Sequence, residues 1–281
     1  GENPWGVGFL RMFDMTNDSH LFHTRNELVP QDFTLEGHWF LRDDGVYLPL
    51  YEGKMIDQFD HRFSDATDDA SPERDLVKTD PSCLARPRFW VDAAEVERSL
   101  GDQGFALGFR GITNPENERT AIATVVPRAG YGNSLPLLLP SNAQARHLAP
   151  LLAAMNSFIV DWITRMKTAS RNLNFYIVKQ LPILPPDRYK PDLLDFIVPR
   201  VLELTYTAWD LQPFAQDVLD KAGEKTWARW FADAPIHTSP PPDWAPGTTP
   251  PPFIWDKVRR APLRAELDPL VVDGIQPGGQ L

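Results

Sequence analysis

The chain has 281 residues, 42% of them hydrophobic and nine of them tryptophan, enough to bury one large core or two small ones. A single cysteine, Cys83, excludes an internal disulfide and fits a reducing, cytoplasmic setting; no apolar run reaches the ~20 residues of a membrane-spanning helix, and no signal peptide heads the sequence. A formal charge of −10 counts against nucleic-acid binding by the chain as a whole, because phosphate contacts need lysine and arginine. The charge is nonetheless uneven. Residues 57–80 carry eight acids against three bases, whereas residues 143–190 carry seven bases against two acids, a local +5. The field a ligand meets is the local one. The 28 prolines predict many irregular connections. The chain opens at Gly1, without methionine, in sequence that already reads as structured, so a fragment of a longer protein is expected.

In chain order, residues 5–13 (WGVGFLRMF) read as a strand followed by an Asn/Asp/Ser turn. Asp14, Asp18, His20 and His23 resemble metal ligands, but His-x-x-His without the glutamate of a zincin helix is weak, and no metal site is expected. Asp44-Gly45 predicts a hairpin turn, with a strand over Tyr47 to Tyr51 broken by Glu52-Gly53. Asp44, Glu52 and Lys54 also fit the loose Asp…Glu-x-Lys pattern of Mg-dependent nucleases, in which two carboxylates hold the ion and the lysine helps activate water. A hairpin with a lysine at its exit is the plainer reading. Residues 66–88 read as an exposed loop, and Phe89 to Val91 as a strand. Asp92, with Glu95 three residues on, predicts the cap of a helix to Leu100.

Residues 105–112 and 120–126 are two β-like runs. The loop between them, Thr113-Asn-Pro-Glu-Asn-Glu-Arg-Thr120, carries Asn114, Asn117 and Arg119, which suit purine edges; an Asx-turn with a solvated arginine is the alternative. Residues 128–140 read as a loop with a short strand. Leu148, Leu151, Leu152, Met155, Phe158, Ile159, Trp162, Ile163 and Met166 recur at three and four, predicting one long helix over 141–167, with Ser141 and Gln144 as its capping box and Pro150 kinking it or marking its first turn. Residues 172–186 (NLNFYIVKQLPILPP) then predict a buried strand ended by prolines. Two helices are expected over 192–208, interrupted by Pro199, and over 210–231. A Pro-rich linker over 235–252, a basic helix over 255–267 and a disordered Gly/Pro tail complete the chain. The expected fold is α+β: a twisted, irregular β-rich domain with a long helix over 1–190, then a helical extension over 191–281.

Several segments resemble one family. They are NPWGVGFLRMFDMTNDSHLF, YLPLYEGKMIDQFDHRF, the FR-x-ITN-x-x-NERT loop from Phe109 to Thr120, LLAAMNSFIVDW, LNFYIVKQLPILPP and PRVLELTYTAWDLQPFA. In this order they resemble the carboxy-terminal target-recognition region of type IIG, TaqI-like adenine-N6 DNA methylases of restriction-modification systems, including related methylases of DISARM-type phage defence. The resemblance implies that this portion reads double-stranded DNA. An upstream methyltransferase domain of the same protein would bind S-adenosylmethionine and methylate a flipped adenine. The Asn-Pro-Pro-Tyr motif of that domain is absent here, and no Gly-rich cofactor loop follows a strand, so no cofactor, metal or catalytic residue is assigned to this chain. The implied DNA-facing residues are Lys54, His61, Arg62, Arg110, Asn114, Arg119, Arg171 and Asn172; for Lys54, His61 and Arg62, which sit in the most specific motif, a scaffold role or phosphate contacts are the alternative. The alternatives are the nuclease above, or a module docking on the methylase half or on other defence-system subunits.

Overall fold

A computed structural model describes residues 3–66, 76–140, 145–168, 171–245 and 249–268. Its elements follow from where the apolar residues alternate. β6 (Phe105–Phe109) and β7 (Ala123–Pro127) pair antiparallel and are buried along their whole length. Side chains alternate across a strand, so β6 sends Phe105, Leu107 and Phe109 to one core and Ala106 to another. β1 (Val7–Leu10) and β9 (Leu137–Pro140) complete this sheet in the order β1-β9-β6-β7. It is a partition with apolar packing on both faces.

On one face lies a second sheet. β2 (Thr34–Glu36), β3 (Trp39–Arg42), β4 (Gly45–Tyr51) and β5 (Trp90–Asp92) run antiparallel in that order, and β8 (Gly130–Tyr131) pairs parallel with the end of β4. The expected hairpin is present, with its turn one residue earlier than expected: Arg42 faces Gly45 across Asp43-Asp44, and Gly45 already belongs to β4. Glu52-Gly53 ends β4 as expected. A Cβ on Gly53 would stand 2.4 Å from the Ser134 carbonyl oxygen, so any side chain there forces the backbone to shift. The short helix α1 (Arg25–Leu28) and α2 (Ala93–Leu100) flank this sheet; Asp92 caps α2 by accepting from Ala94 N at 2.8 Å. Glu95 pairs with Arg98 and does not reach back to the cap.

Helices cover the other face. The single helix expected over 141–167 is two, α3 (Ala145–Met155) and α4 (Phe158–Lys167). The break has a cause. Asn156 bonds both backbone groups of Ala123, accepting at 3.0 Å and donating at 2.9 Å, and so serves as a strand partner for β7. Ser157 then caps α4, accepting from Val160 N. Pro150 lies inside α3; the capping box proposed at Ser141 and Gln144 lies outside the described residues.

The strand expected over 172–186 is corrected to a short helix, α5 (Phe175–Val178). Residues 171–173 bridge the chain at Ile112 in the manner of a strand, through Thr113 N to Arg171 O and Leu173 N to Gly111 O, both 2.8 Å. Tertiary packing overrides β-propensity here. A helical turn lets Phe175 enter between Phe9 and Phe109, at ring distances of 5.0 and 6.1 Å, while Ile177 and Val178 are buried.

α6 (Pro191–Thr205) runs uninterrupted through Pro199. The expected second helix is split at Gly223, whose φ of 78° favours glycine, into α7 (Gln212–Ala222) and α8 (Glu224–Trp230). α9 (Lys257–Leu267) is the last described element, and the tail beyond Asp268 lies outside the described residues. The linker expected over 235–252 is anchored in part: Ile236 bridges Phe253, which is fully buried. The fold is α+β, as expected. The boundary drawn at residue 190, however, crosses a single apolar cluster that holds Leu107, Phe109 and Val125 together with Ile197, Leu202, Phe214 and Trp227.

Candidate nucleic-acid interface

Within the most specific motif, residues 51–63, the stretch 58–62 faces inward, whereas Lys54 and Phe63 are exposed. His61 is fully buried, with Nε2 2.8 Å from Asp210 Oδ1 in the short turn between α6 and α7. Burial works to raise the Asp210 carboxyl, yet His61, its hydrogen bond, His38 and Arg62 hold it below the usual carboxylate range. Arg62 is also fully buried. Its guanidinium donates to the carbonyls of Lys78, Asp80, Cys83 and Thr207, at 2.8–2.9 Å. Asp60 pairs with Lys78 and accepts from Trp255 Nε1, and Arg260 donates to Leu204 O and Phe59 O. This segment therefore fastens the C-terminal helices to the sheets. The DNA-facing assignment of His61 and Arg62 is corrected, because neither presents surface to a ligand.

Three more of the eight are engaged within the protein. Arg110 donates to Ile56 O and sits 5.4 Å from the Phe63 ring. Asn114 Oδ1 accepts from Glu116 N at 3.1 Å, the Asx-turn alternative. Arg119 lies over the Phe158 ring and 3.8 Å from Asp268. Lys54, Arg171 and Asn172 are exposed, Lys54 standing 3.7 Å from Glu52. The nuclease reading fails on distance. Asp44 and Glu52 lie at opposite ends of β4, roughly 26 Å apart at the rise of an extended strand, and Asp44 bonds Arg42. Near the amino terminus, Asp14 and Asp18 accept backbone N–H groups of their own turn. Among the described residues no group of three or more His, Cys, Asp or Glu is placed to hold a metal. Nor do they fit S-adenosylmethionine in the Rossmann manner: the sheets are antiparallel but for the two-residue β4–β8 pairing, and β5 enters α2 without a glycine loop.

A different set of residues converges around α5. The contact of Phe9 with Phe175 brings Arg11 beside Lys179: Arg11 lies 5.9 Å from the Phe175 ring, and Lys179 Nζ 4.9 Å from the Phe9 ring. Lys167 joins them by donating to Gln180 Oε1 at 3.2 Å, and Arg171 flanks it on the chain leading into α5. Arg11, Lys167, Arg171 and Lys179 are all exposed, and none forms a salt bridge among the described residues. Tyr176 (62% exposed), Trp162 (57%) and Ile112 (59%) add exposed apolar surface. Lys179 also edges a groove of about 820 Å³ lined by Trp5, Phe9, Val178, Leu181 and Ile183, in the size range of small-ligand sites. Cations interleaved with aromatic rings form the footprint of a nucleic-acid surface. The basic stretch 143–190 pointed to Lys167, Arg171 and Lys179. Arg11 carried no signal, since only the fold brings it across 168 residues to Lys179.

Compared with models of protein families, with curated proteins and with solved structures, the chain matches none.

Proposed function

We propose that this chain is the DNA-reading part of an S-adenosylmethionine-dependent adenine-N6 methyltransferase of a restriction-modification or phage-defence system, working in the cytoplasm beside an upstream catalytic domain of the same protein. The observation that carries the DNA-binding half of this reading is the set of four exposed cations around α5, none in a salt bridge among the described residues, set among exposed aromatic side chains. The methylase half rests on the sequence resemblance. Arg11, Lys167, Arg171 and Lys179 hold phosphates and fix register, and Tyr176 packs against sugar or base.

The test is fluorescence anisotropy with random-sequence duplex DNA at several salt concentrations. Four phosphate contacts give a slope of log Kobs against log salt of about −3.6. Changing all four cations to glutamine abolishes binding without changing the melting temperature. No binding at low salt, or binding indifferent to the four changes, refutes the reading. One observation favours a second reading, docking on the methylase half or another defence subunit: Phe158, Trp162 and Met166 form an exposed stripe at i, i+4, i+8 along α4. Under it, a chain that ignores DNA is captured by the purified catalytic half, and Trp162→Ser weakens the capture.

A further inference from the structure

We infer that residues 113–120 form a preorganised base-reading tip, that Glu116 and Asn117 determine its sequence preference, and that Asp161 and Arg165 of α4 are its positioning residues. The inference rests on the DNA-binding reading above and goes beyond it to name where sequence is read.

A surface loop ordinarily leaves its backbone to water. This one is held by a helix some forty residues further on. Asp161 is 3% exposed, and its Oδ1 accepts from the N–H groups of Thr120 and Ala121 at 2.6 and 2.7 Å. Arg165 donates to the carbonyls of Pro115, Asn117 and Glu118 at 2.6–3.0 Å, and lies 3.3 Å from Asp161. Thr113 Oγ1 donates to Thr120 O at 2.7 Å and closes the base of the loop. Asn117 N donates to Asn114 O at 3.1 Å, and Asn114 Oδ1 accepts from Glu116 N. Every stage of the turn is thus fixed before a ligand arrives.

The side chains divide accordingly. Asn114 is used within the turn, and Arg119 is directed to Asp268 and Phe158. Glu116 at the apex and Asn117 at the exit are exposed and have no side-chain partner among the described residues. An asparagine amide matches adenine N6 and N7, and a carboxylate accepts from cytosine N4. The tip also adjoins the cationic face. Thr113 N donates to Arg171 O at 2.8 Å, so the cation that holds a phosphate is tied to the first residue of the tip. A rigid tip next to a phosphate anchor is what direct readout requires, since anchoring fixes the register in which base edges are met.

The experiment is selection of bound sequences from a randomised duplex pool by the wild-type chain, Asn117→Ala, Glu116→Gln and Arg165→Lys, with random-duplex affinity and salt slope measured in parallel. The wild-type chain is expected to enrich a site. Asn117→Ala then relaxes preference at one base pair by about tenfold while random-duplex affinity stays level. Arg165→Lys keeps the charge but loses the fork that spans three carbonyls. It broadens preference at the same position and speeds exchange of the Asn117 amide. A merely structural role for Arg165 would leave base preference unchanged. If Arg165→Lys fails to fold, the exposed Asn117 and Glu116 variants decide the matter alone. Binding of random duplex with a steep salt slope but no enriched site overturns the tip and leaves the DNA reading standing. The same holds if both tip variants select the wild-type sequence. A wild-type chain that binds no DNA overturns both.

Discussion

Arg62→Met separates a structural hub from a DNA contact. The guanidinium meets four carbonyls, of Lys78, Asp80, Cys83 and Thr207, each at 2.8–2.9 Å. Charge-assisted hydrogen bonds contribute roughly 1.5–3 kcal/mol each, but the four are not equivalent. Three of the carbonyls belong to residues 78–83, part of which lies at the surface and can turn to water once released. The fourth belongs to Thr207, which is 2% exposed and has nowhere to turn. The substitution also removes a positive neighbour from Asp60 and Asp210, both buried. Counting the Thr207 carbonyl in full, the outer three in part and the uncompensated carboxylates gives a loss of about 4 kcal/mol, within the range for breaking a buried charged pair. That is a large share of the ~5–15 kcal/mol a domain possesses. Urea denaturation followed by tryptophan fluorescence reads it as a lower midpoint at unchanged m value. Arg62→Lys recovers under half, because one ammonium cannot span four carbonyls. Variants that stay folded keep wild-type DNA affinity. Stability within ~1 kcal/mol of wild type, together with lost DNA binding, would refute the hub and restore Arg62 to the interface.

Two further outcomes follow from local geometry. Gly53→Ala drives a Cβ into the Ser134 carbonyl, an overpacking cost of about 1–3 kcal/mol, seen by calorimetry as a melting temperature several degrees lower. His38 is buried, neither ring nitrogen has a hydrogen-bond partner among the described residues, and burial depresses its pKa to about 4. Its folded pKa thus lies below the unfolded ~6.5, so the unfolded chain binds the proton first as pH falls. The stability held by neutral His38 is complete above pH ~6.5 and is lost as pH drops towards 4, by roughly 3 kcal/mol. Denaturation midpoints at pH 7, 5.5 and 4.5 should show this slope in the wild-type chain and a flatter one in His38→Asn; equal slopes would exclude His38 as its source.

What the sequence made legible was local. The β3–β4 hairpin, the stop at Glu52-Gly53, the Asp92 cap and the run of C-terminal helices each rest on turn chemistry or periodicity within about a dozen residues. The misreadings are places where a distant partner decides. Phe, Tyr, Ile and Val at 175–178 favour a strand by composition, but the slot between Phe9 and Phe109 suits a helical turn. The stripe from Leu148 to Met166 is continuous in sequence, and it breaks because Asn156 is claimed by Ala123 on β7. Site residues fared likewise. The long motif around His61 and Arg62 signals constraint without saying whether its source is packing or ligand. Burial assigns it to packing, through Asp210 and Thr207 some 145 residues away.

The same distinction bears on how a charge of −10 is compatible with the proposed DNA surface. Composition counts every cation alike, but the fold sorts them. Arg62, Arg110, Arg165 and Arg260 spend their guanidinium groups on internal carbonyls. Arg200, Arg229 and Arg259 pair with Glu266, Asp195 and Glu203 among the C-terminal helices. These cations stiffen the molecule and add little to its outer field, because paired charges cancel at a distance and exposed fields are screened within ~10 Å. Arg11, Lys167, Arg171 and Lys179 are exposed cations without a salt bridge among the described residues, Arg11 acting only at longer range on the Asp14 carboxyl. On the proposed reading, a cluster of such cations on an otherwise acidic chain orients the encounter with a polyanion as well as strengthening it. The measurable consequence is the salt slope. It counts the phosphates neutralised, so it should report about four cations, although the sequence holds 28 lysines and arginines.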